Sequence, residues 1–440
     1  MANEKVLNRW LVVVGAVLIQ LCLGAIYAWS VFTTTLKASP DEGGYGFTAS
    51  QTQWVFSAGL ATFALVMLFA GRWQAKAGPR VVAIVGGIVL GLGYVVGGFL
   101  GESFWPQLIC IGIVGGAGIG LAYVVPIAVG VKWFPDKKGM ITGLAVAGFG
   151  FGATIWVKLA GSWFGGLLNT TQVFGLPGVQ SVFVIYGITF FVLVLVGSIW
   201  MVNPPAGWKP AGWNPKATSS GATRTVGLNL TAGQMVSRPQ YWGLLLMFIG
   251  SGLAGLMVIG CICLFGTDSL VASGVVADKA AADVIAGTAM AWLAILNGLG
   301  RIIWGMVSDK IGRKTALFLM CLIQGIMMLV FFRVGATEWG LIIGACIIGF
   351  NFGGNFALFP AATADFFGNK NVGTNYPWVF LAYGIAGIAG PQVAGYFKDA
   401  AAASGAGVDA WKMPFLIAGV ACLVAAALGL LLRAPKGEEG

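Results

Sequence analysis

Twelve apolar runs, each of twenty residues or more, limit what this chain can become. They fall at 10–37, 51–73, 80–99, 105–131, 139–161, 181–202, 239–265, 284–307, 313–334, 337–361, 372–397 and 411–432. A run of about twenty apolar residues is long enough to cross the hydrocarbon core of a bilayer as a helix. Composition agrees: of 440 residues, 58% are hydrophobic and 9% charged, where a soluble domain carries about 25% charge. The chain therefore reads as an all-α membrane protein. The first run continues to about Leu36, too long for the core of a cleaved signal, and is expected to be a retained membrane helix.

Several function classes fall away on residue types alone. The chain has no histidine, so it lacks the commonest metal ligand and the usual near-neutral proton switch. Its seven cysteines (Cys22, Cys110, Cys261, Cys263, Cys321, Cys346, Cys422) all fall in apolar runs. Cys261 and Cys263, two apart on a helix, do not face each other. They read as small polarizable packing residues. No cofactor or metal is expected. With few acids and no paired carboxylates, the chain does not read as an enzyme. The glycine runs "GGIVLGLG" (86–93) and "GGAGIGLAY" (115–123) lie inside spans, where small residues let helices approach; they are not phosphate loops.

The formal charge is +10, and the loops account for it. With both termini inside, inner segments hold 18 Lys and Arg and outer segments 6, with Arg301 left over inside a span. The excess of inner basic residues orients membrane helices, so no nucleic-acid partner is needed. The long polar link "NPPAGWKPAGWNPKATSSGATRTVGLNLTAGQMVSRPQ" separates six spans from six and is rich in Pro, Gly, Ser and Thr. The halves echo each other: "GRWQAKAGPRVV" from Gly71 follows the second span and "GMVSDKIGRKTALF" from Gly305 follows the eighth, with Gly78 and Gly312 at the same offset. Parallel repeats of this kind suit an alternating-access transporter.

The second copy, with Gly305, Asp309, Gly312, Arg313 and Lys314, resembles the inter-helix signature of the major facilitator superfamily. In the first copy Gln74 and Ala75 stand where Asp309 has its counterpart. "KWFPDKKGMITGLAVAGFGFG" from Lys132, "SRPQYWGLL" from Ser237, "LNGLGRIIWGMVSDKIGRKT" from Leu296 and "ALFPAATADFFG" from Ala357 resemble the oxalate/formate antiporter family, with a further likeness to monocarboxylate transporters. The resemblance implies twelve transmembrane helices in two six-helix bundles, at 1–202 and 239–440, joined by a cytoplasmic linker at 203–238. It also implies a monomer in the cell (inner or plasma) membrane with both termini cytoplasmic.

Arg301 is the residue that composition does not explain. An arginine at mid-membrane costs about 2.5–3.5 kcal/mol on insertion scales. One reading is that it reaches the inner boundary by snorkelling, about 9 Å away if the helix ends near 307. Against this, Gly298, Gly300 and Gly305 surround it, Asp309 and Lys310 already serve the boundary, and the fifteen acids fall at the termini, in loops or at helix ends, where none can neutralise it. A buried guanidinium needs an anion, and a carboxylate fits its planar fork. The resemblance implies the same role, because the family's helix-eight arginine binds carboxylate.

Around it we expect a lining of Tyr27, Tyr123, Phe352, Asn355, Phe356, Trp378, Phe380 and Tyr383, with Asn297 one turn before the arginine. The family's oxalate exchanger has a lysine where this chain has Tyr383, and Phe149, Phe352, Phe356 and Phe380 replace its Tyr or Trp. One cation in a more apolar cage suits a monocarboxylate of lactate, pyruvate or formate size better than a dianion. Where monocarboxylate transporters place an aspartate, this chain has Asn297. Anion exchange is therefore the expected coupling. The alternatives are proton-coupled symport, with Asp283 or Asp365 as weak proton carriers, and oxalate:formate-type exchange. A channel would instead conduct continuously, and a sensor would bind without flux.

Overall fold

The computed structural model describes residues 7–42, 44–134, 138–176, 178–205, 208–210, 229–368 and 371–432. Twelve helices among them are long and apolar enough to cross a membrane: α1 (Arg9–Lys37), α2 (Ala49–Gln74), α3 (Pro79–Phe99), α4 (Phe104–Gly130), α5 (Gly143–Gly161), α6 (Gly178–Ser198), α7 (Pro239–Ala272), α8 (Lys279–Ile311), α9 (Arg313–Val334), α10 (Glu338–Phe367), α11 (Thr374–Ser404) and α12 (Gly407–Leu431). This is the multi-pass all-α fold expected from the runs. Much of the link, with Lys216 and Arg224, lies outside the described residues, as do Lys5, Lys137, Lys370, Arg433 and Lys436.

Helix ends follow local chemistry more closely than hydropathy. The run at 284–307 becomes Lys279–Ile311, because Asp278 accepts from the backbone N–H of Ala280 and Ala281 and starts the helix early. Thr48 and Gln51 form a reciprocal capping box at the start of α2. At the far ends of α2 and α8 the chain turns through Gly78 (φ 87°) and Gly312 (φ 85°), a conformation that side chains other than glycine rarely adopt.

These glycines are 234 residues apart (312 less 78), and the interval recurs. Pro126 inside α4 and Pro360 inside α10 show it again (360 less 126). The two turns face the same side, termed here the signature face. Arg313 there pairs with Asp309 at 2.7 Å and with Asp365 of α10 at 3.0 Å, and it donates to Ser308 Oγ. Lys314 is exposed. The first turn lacks such a carboxylate pair among the described residues; Arg80 donates instead to the Ile199 carbonyl beyond α6.

The first six helices meet the last six along two antiparallel crossings. In one, α5 lies on α8: Lys158 Nζ donates to Thr288 Oγ1 (2.6 Å), Thr154 Oγ1 to the Ala291 carbonyl (3.0 Å), and Arg301 Nη1 to the Val146 carbonyl (3.0 Å). In the other, α2 lies on α11. There Gly384 faces Ala64, Gly387 faces Leu60, and Asp399 accepts from Ala49 N and Ser50 N, both at 2.8 Å. The middles of both crossings enclose the candidate site.

Candidate functional site

Arg301 is 3% exposed. Ten residues of α8 follow it, through Ile311, about 15 Å of rise. Its head turns inward rather than toward the signature face, which removes the snorkelling reading.

Asn297, one turn earlier on the same helix, presents Oδ1 to both Nε (3.2 Å) and Nη2 (2.9 Å) of Arg301. The Asn297 amide nitrogen donates to the Gly349 carbonyl of α10 (3.4 Å), which fixes the side chain. Nη1 donates to the Val146 carbonyl of α5. The guanidinium is thus not left without partners. No carboxylate pairs with it among the described residues, but two neutral oxygens do. A side-chain amide one turn away and a helix carbonyl of a close neighbour supply acceptors without supplying charge. A guanidinium has five N–H donors; these two oxygens take three, and the hydroxyls of Tyr27 and Tyr123 stand against the guanidinium as well.

The faces of the guanidinium are covered by rings. Its carbon sits 4.0 Å from the centroid of Phe356 and 5.6 Å from that of Phe149, within the range of cation–π attraction. Further rings from α1, α4, α5, α10 and α11 pack around these. Tyr27 meets Phe149 edge-on at 4.9 Å, Tyr123 meets Phe149 at 5.6 Å, Phe352 meets Phe356 at 5.3 Å, and Phe380 stacks on Tyr383 at 4.8 Å. Tyr383 donates its hydroxyl to that of Tyr27 across 3.0 Å, joining α11 to α1, and both residues are 0% exposed. Tyr27 reaches this place because α1 tightens into a 3-10 turn over Gly24–Ala28. Gly24 there abuts the Phe149 carbonyl, where any Cβ would collide.

Two expected residues lie apart from the rings. Trp378 is half-buried, and its carbonyl accepts from Tyr241 Oη at 3.3 Å; its ring joins none of the cage pairs. Asn355 is buried and accepts from Ser251 Oγ at 2.6 Å, tying α10 to α7, while its amide nitrogen has no partner. Asp365 serves Arg313, and Asp283 accepts from Thr267.

Sequence reasoning missed Phe63. It sits at the centre of the cage, 5.0 Å from Tyr123, 5.5 Å from Phe380 and 5.6 Å from Tyr383. The repeat interval carried the signal: Phe63 stands 234 residues before Asn297, and Phe149 stands 234 before Tyr383. A lining position in one half marks one in the other.

The described residues contain no cluster of His, Cys, Asp or Glu able to hold a metal ion, and all seven cysteines are free thiols. The profile of the Major Facilitator Superfamily matches residues 10–391, and again 257–440. The chain belongs to the Major Facilitator Superfamily. It is similar to an uncharacterized MFS-type transporter, YhjX, of Escherichia coli K12, at 30% identity over 87% of this chain and 86% of that protein. It is 26% identical to the oxalate:formate antiporter of Oxalobacter formigenes, over 98% of this chain and 93% of that one. It is 25% identical to apicoplast pyruvate carrier 1 of Toxoplasma gondii, over 86% and 82%. A solved bacterial homologue of the human lysosomal transporter Spinster, inward-facing and unoccupied, shares the fold at TM-score 0.67 and 18% identity, covering 98% of each chain. As a Major Facilitator Superfamily member the protein is a transporter, not an enzyme. In this superfamily two halves present a central site to each side of the membrane in turn.

Proposed function

We propose that the protein carries small monocarboxylates, of lactate, pyruvate or formate size, and that it exchanges one anion for another. Arg301 carries this reading: a buried cation held by neutral groups, with no carboxylate paired to it among the described residues. One carboxylate satisfies two parallel donors and supplies the missing charge. The position of Tyr383 supports a single anionic group, because it brings a hydroxyl to the cage where the family's oxalate exchanger has a second cation. The names of two relatives, an oxalate:formate antiporter and a pyruvate carrier, point to the same chemical class. Oxalate:formate-type exchange is the second reading. It has support in the Tyr27 and Tyr383 hydroxyls, which could share a second carboxylate.

Exchange rests on Asn297. A neutral amide beside Arg301 takes no proton with the substrate, so the empty site keeps its positive charge, which disfavours crossing the membrane unloaded. We also place residues 1–202 and 239–440 as the two moving bundles and 203–238 as the linker. The signature face is set in the cytoplasm on the basic-residue bias, and the carrier is a monomer. Counterflow in proteoliposomes tests the substrate and the coupling together. Internal lactate, pyruvate or formate should accelerate uptake of the labelled anion without a pH gradient. Uptake that requires an inward proton gradient and ignores internal anion would overturn exchange. No flux of any of the three would overturn the substrate class.

A further inference from the structure

At the opposite face, the α5–α8 crossing opens into a cavity of about 110 Å³ between α1, α5 and α8. This is several times the space that one water needs. Lys158 lines it, with Thr34, Thr35, Ser162, Asn169 and Asp283 among the polar residues of its wall. Lys158 is half-buried; its hydrogen-bond partner is the neutral Thr288, and it forms no ion pair among the described residues. Asp283, the acid of the same wall, accepts from Thr267 of α7.

Arg301 lies thirteen positions along α8 from Thr288, about 20 Å. Between them the crossing is shut: a Cβ on Gly150 would come within 3.0 Å of the Ala294 carbonyl and the Gly298 nitrogen.

We propose that this cavity is a peripheral carboxylate-binding site, in which Lys158 holds an incoming anion while the Gly150–Gly298 contact seals Arg301 from that face. The inference rests on the carboxylate-carrier reading and extends it. An ammonium without a counter-ion, on a stem that already crosses from one half to the other, attracts an anion and gathers it at the seam that must part. Threonine and serine hydroxyls and the Asn169 amide can serve the second oxygen. The site gives the carrier two cationic stations in one seam, one at the mouth and one in the middle.

The test uses the full chain in proteoliposomes of known orientation, with lactate, pyruvate and formate as probes. K158Q should raise KM for entry from the opposite face about fivefold, while K158R restores it. An equal rise for entry from both faces, or no rise, overturns the proposal. A second arm reads binding alone. The R301A protein, or R301Q if the alanine variant does not purify as a single species, should still bind lactate saturably and lose that binding on adding K158Q. Absence of binding in the arginine variants, or its persistence without Lys158, overturns the peripheral site. If the unaltered protein carries none of the three anions, the carrier reading fails instead, and the binding arm still reports on Lys158.

Discussion

The two crossings that join the halves have equivalent places in the repeat but different chemistry. In the α5–α8 crossing the middle is polar, with Asn297 and Arg301 held against the Val146 carbonyl. In the α2–α11 crossing the equivalent place is aromatic: Phe63 packs against Phe380 and Tyr383. The ends differ in how the helices are capped. Asp399 of α11 reaches across to cap the N-terminus of α2, whereas α8 is capped by its own Asp278. One crossing thus carries a charge at its centre as well as at its mouth, and the other carries charge at the rim while its centre is aromatic. A repeated scaffold holds a one-sided site, which suits a ligand with one anionic group.

The largest expected break in this comparison is R301A. Two charge-assisted hydrogen bonds contribute about 1.5–3 kcal/mol each, so counterflow should fall by about 100-fold or more. The variant should still insert and purify. Normal flux in R301A would leave the polar crossing without its assigned role.

N297D tests whether neutrality beside the arginine matters. A carboxylate at this position would pair internally with the Nε and Nη2 edge and compete with substrate, lowering flux at neutral pH by about tenfold. Protonating it restores a neutral acceptor, so initial rates should rise as pH falls. A flat pH profile with full activity would remove the argument for exchange drawn from this residue.

Y383K would make the crossings alike by giving the aromatic one a cation. The preference for oxalate over lactate should increase by about tenfold, measured by competition in counterflow. An unchanged ratio would show that position 383 does not set the number of carboxylates accepted.

The smallest effect should come from D399N, which weakens the rim contact and leaves the centre intact. A carboxylate at a helix N-terminus contributes about 0.3–1 kcal/mol, and up to about 2 when partly buried. Labelling of Ser57→Cys from the opposite face should therefore quicken by about fivefold. A rate equal to the parent's would mean that Asp399 caps α2 without holding the halves together.

Hydropathy exposed the twelve spans, and the glycine interval exposed the paired turns, because both are written in local composition. Arg301 was legible for the same reason: one charge in an apolar run stands out. The partner that ties it to α5, the Val146 carbonyl, was not. A backbone oxygen has no residue type to read, and its availability depends on how closely two distant helices pack. Phe63 hid among the 29 phenylalanines, where only its place in the repeat distinguishes it. The 3-10 turn that seats Tyr27 lies in an unbroken apolar run, and hydropathy does not register a change of helical pitch. The overhang of α8 past its apolar stretch was set by Asp278, a capping effect rather than a lipid one.

The bond from Arg301 to Val146 joins α8 to α5, and these helices belong to opposite halves. The residue proposed to hold the cargo is therefore also a rivet between the two halves. In the proposed carrier, an anion at Arg301 would bind the same side chain that fastens α8 to α5, so loading and the contact between the halves meet at one residue.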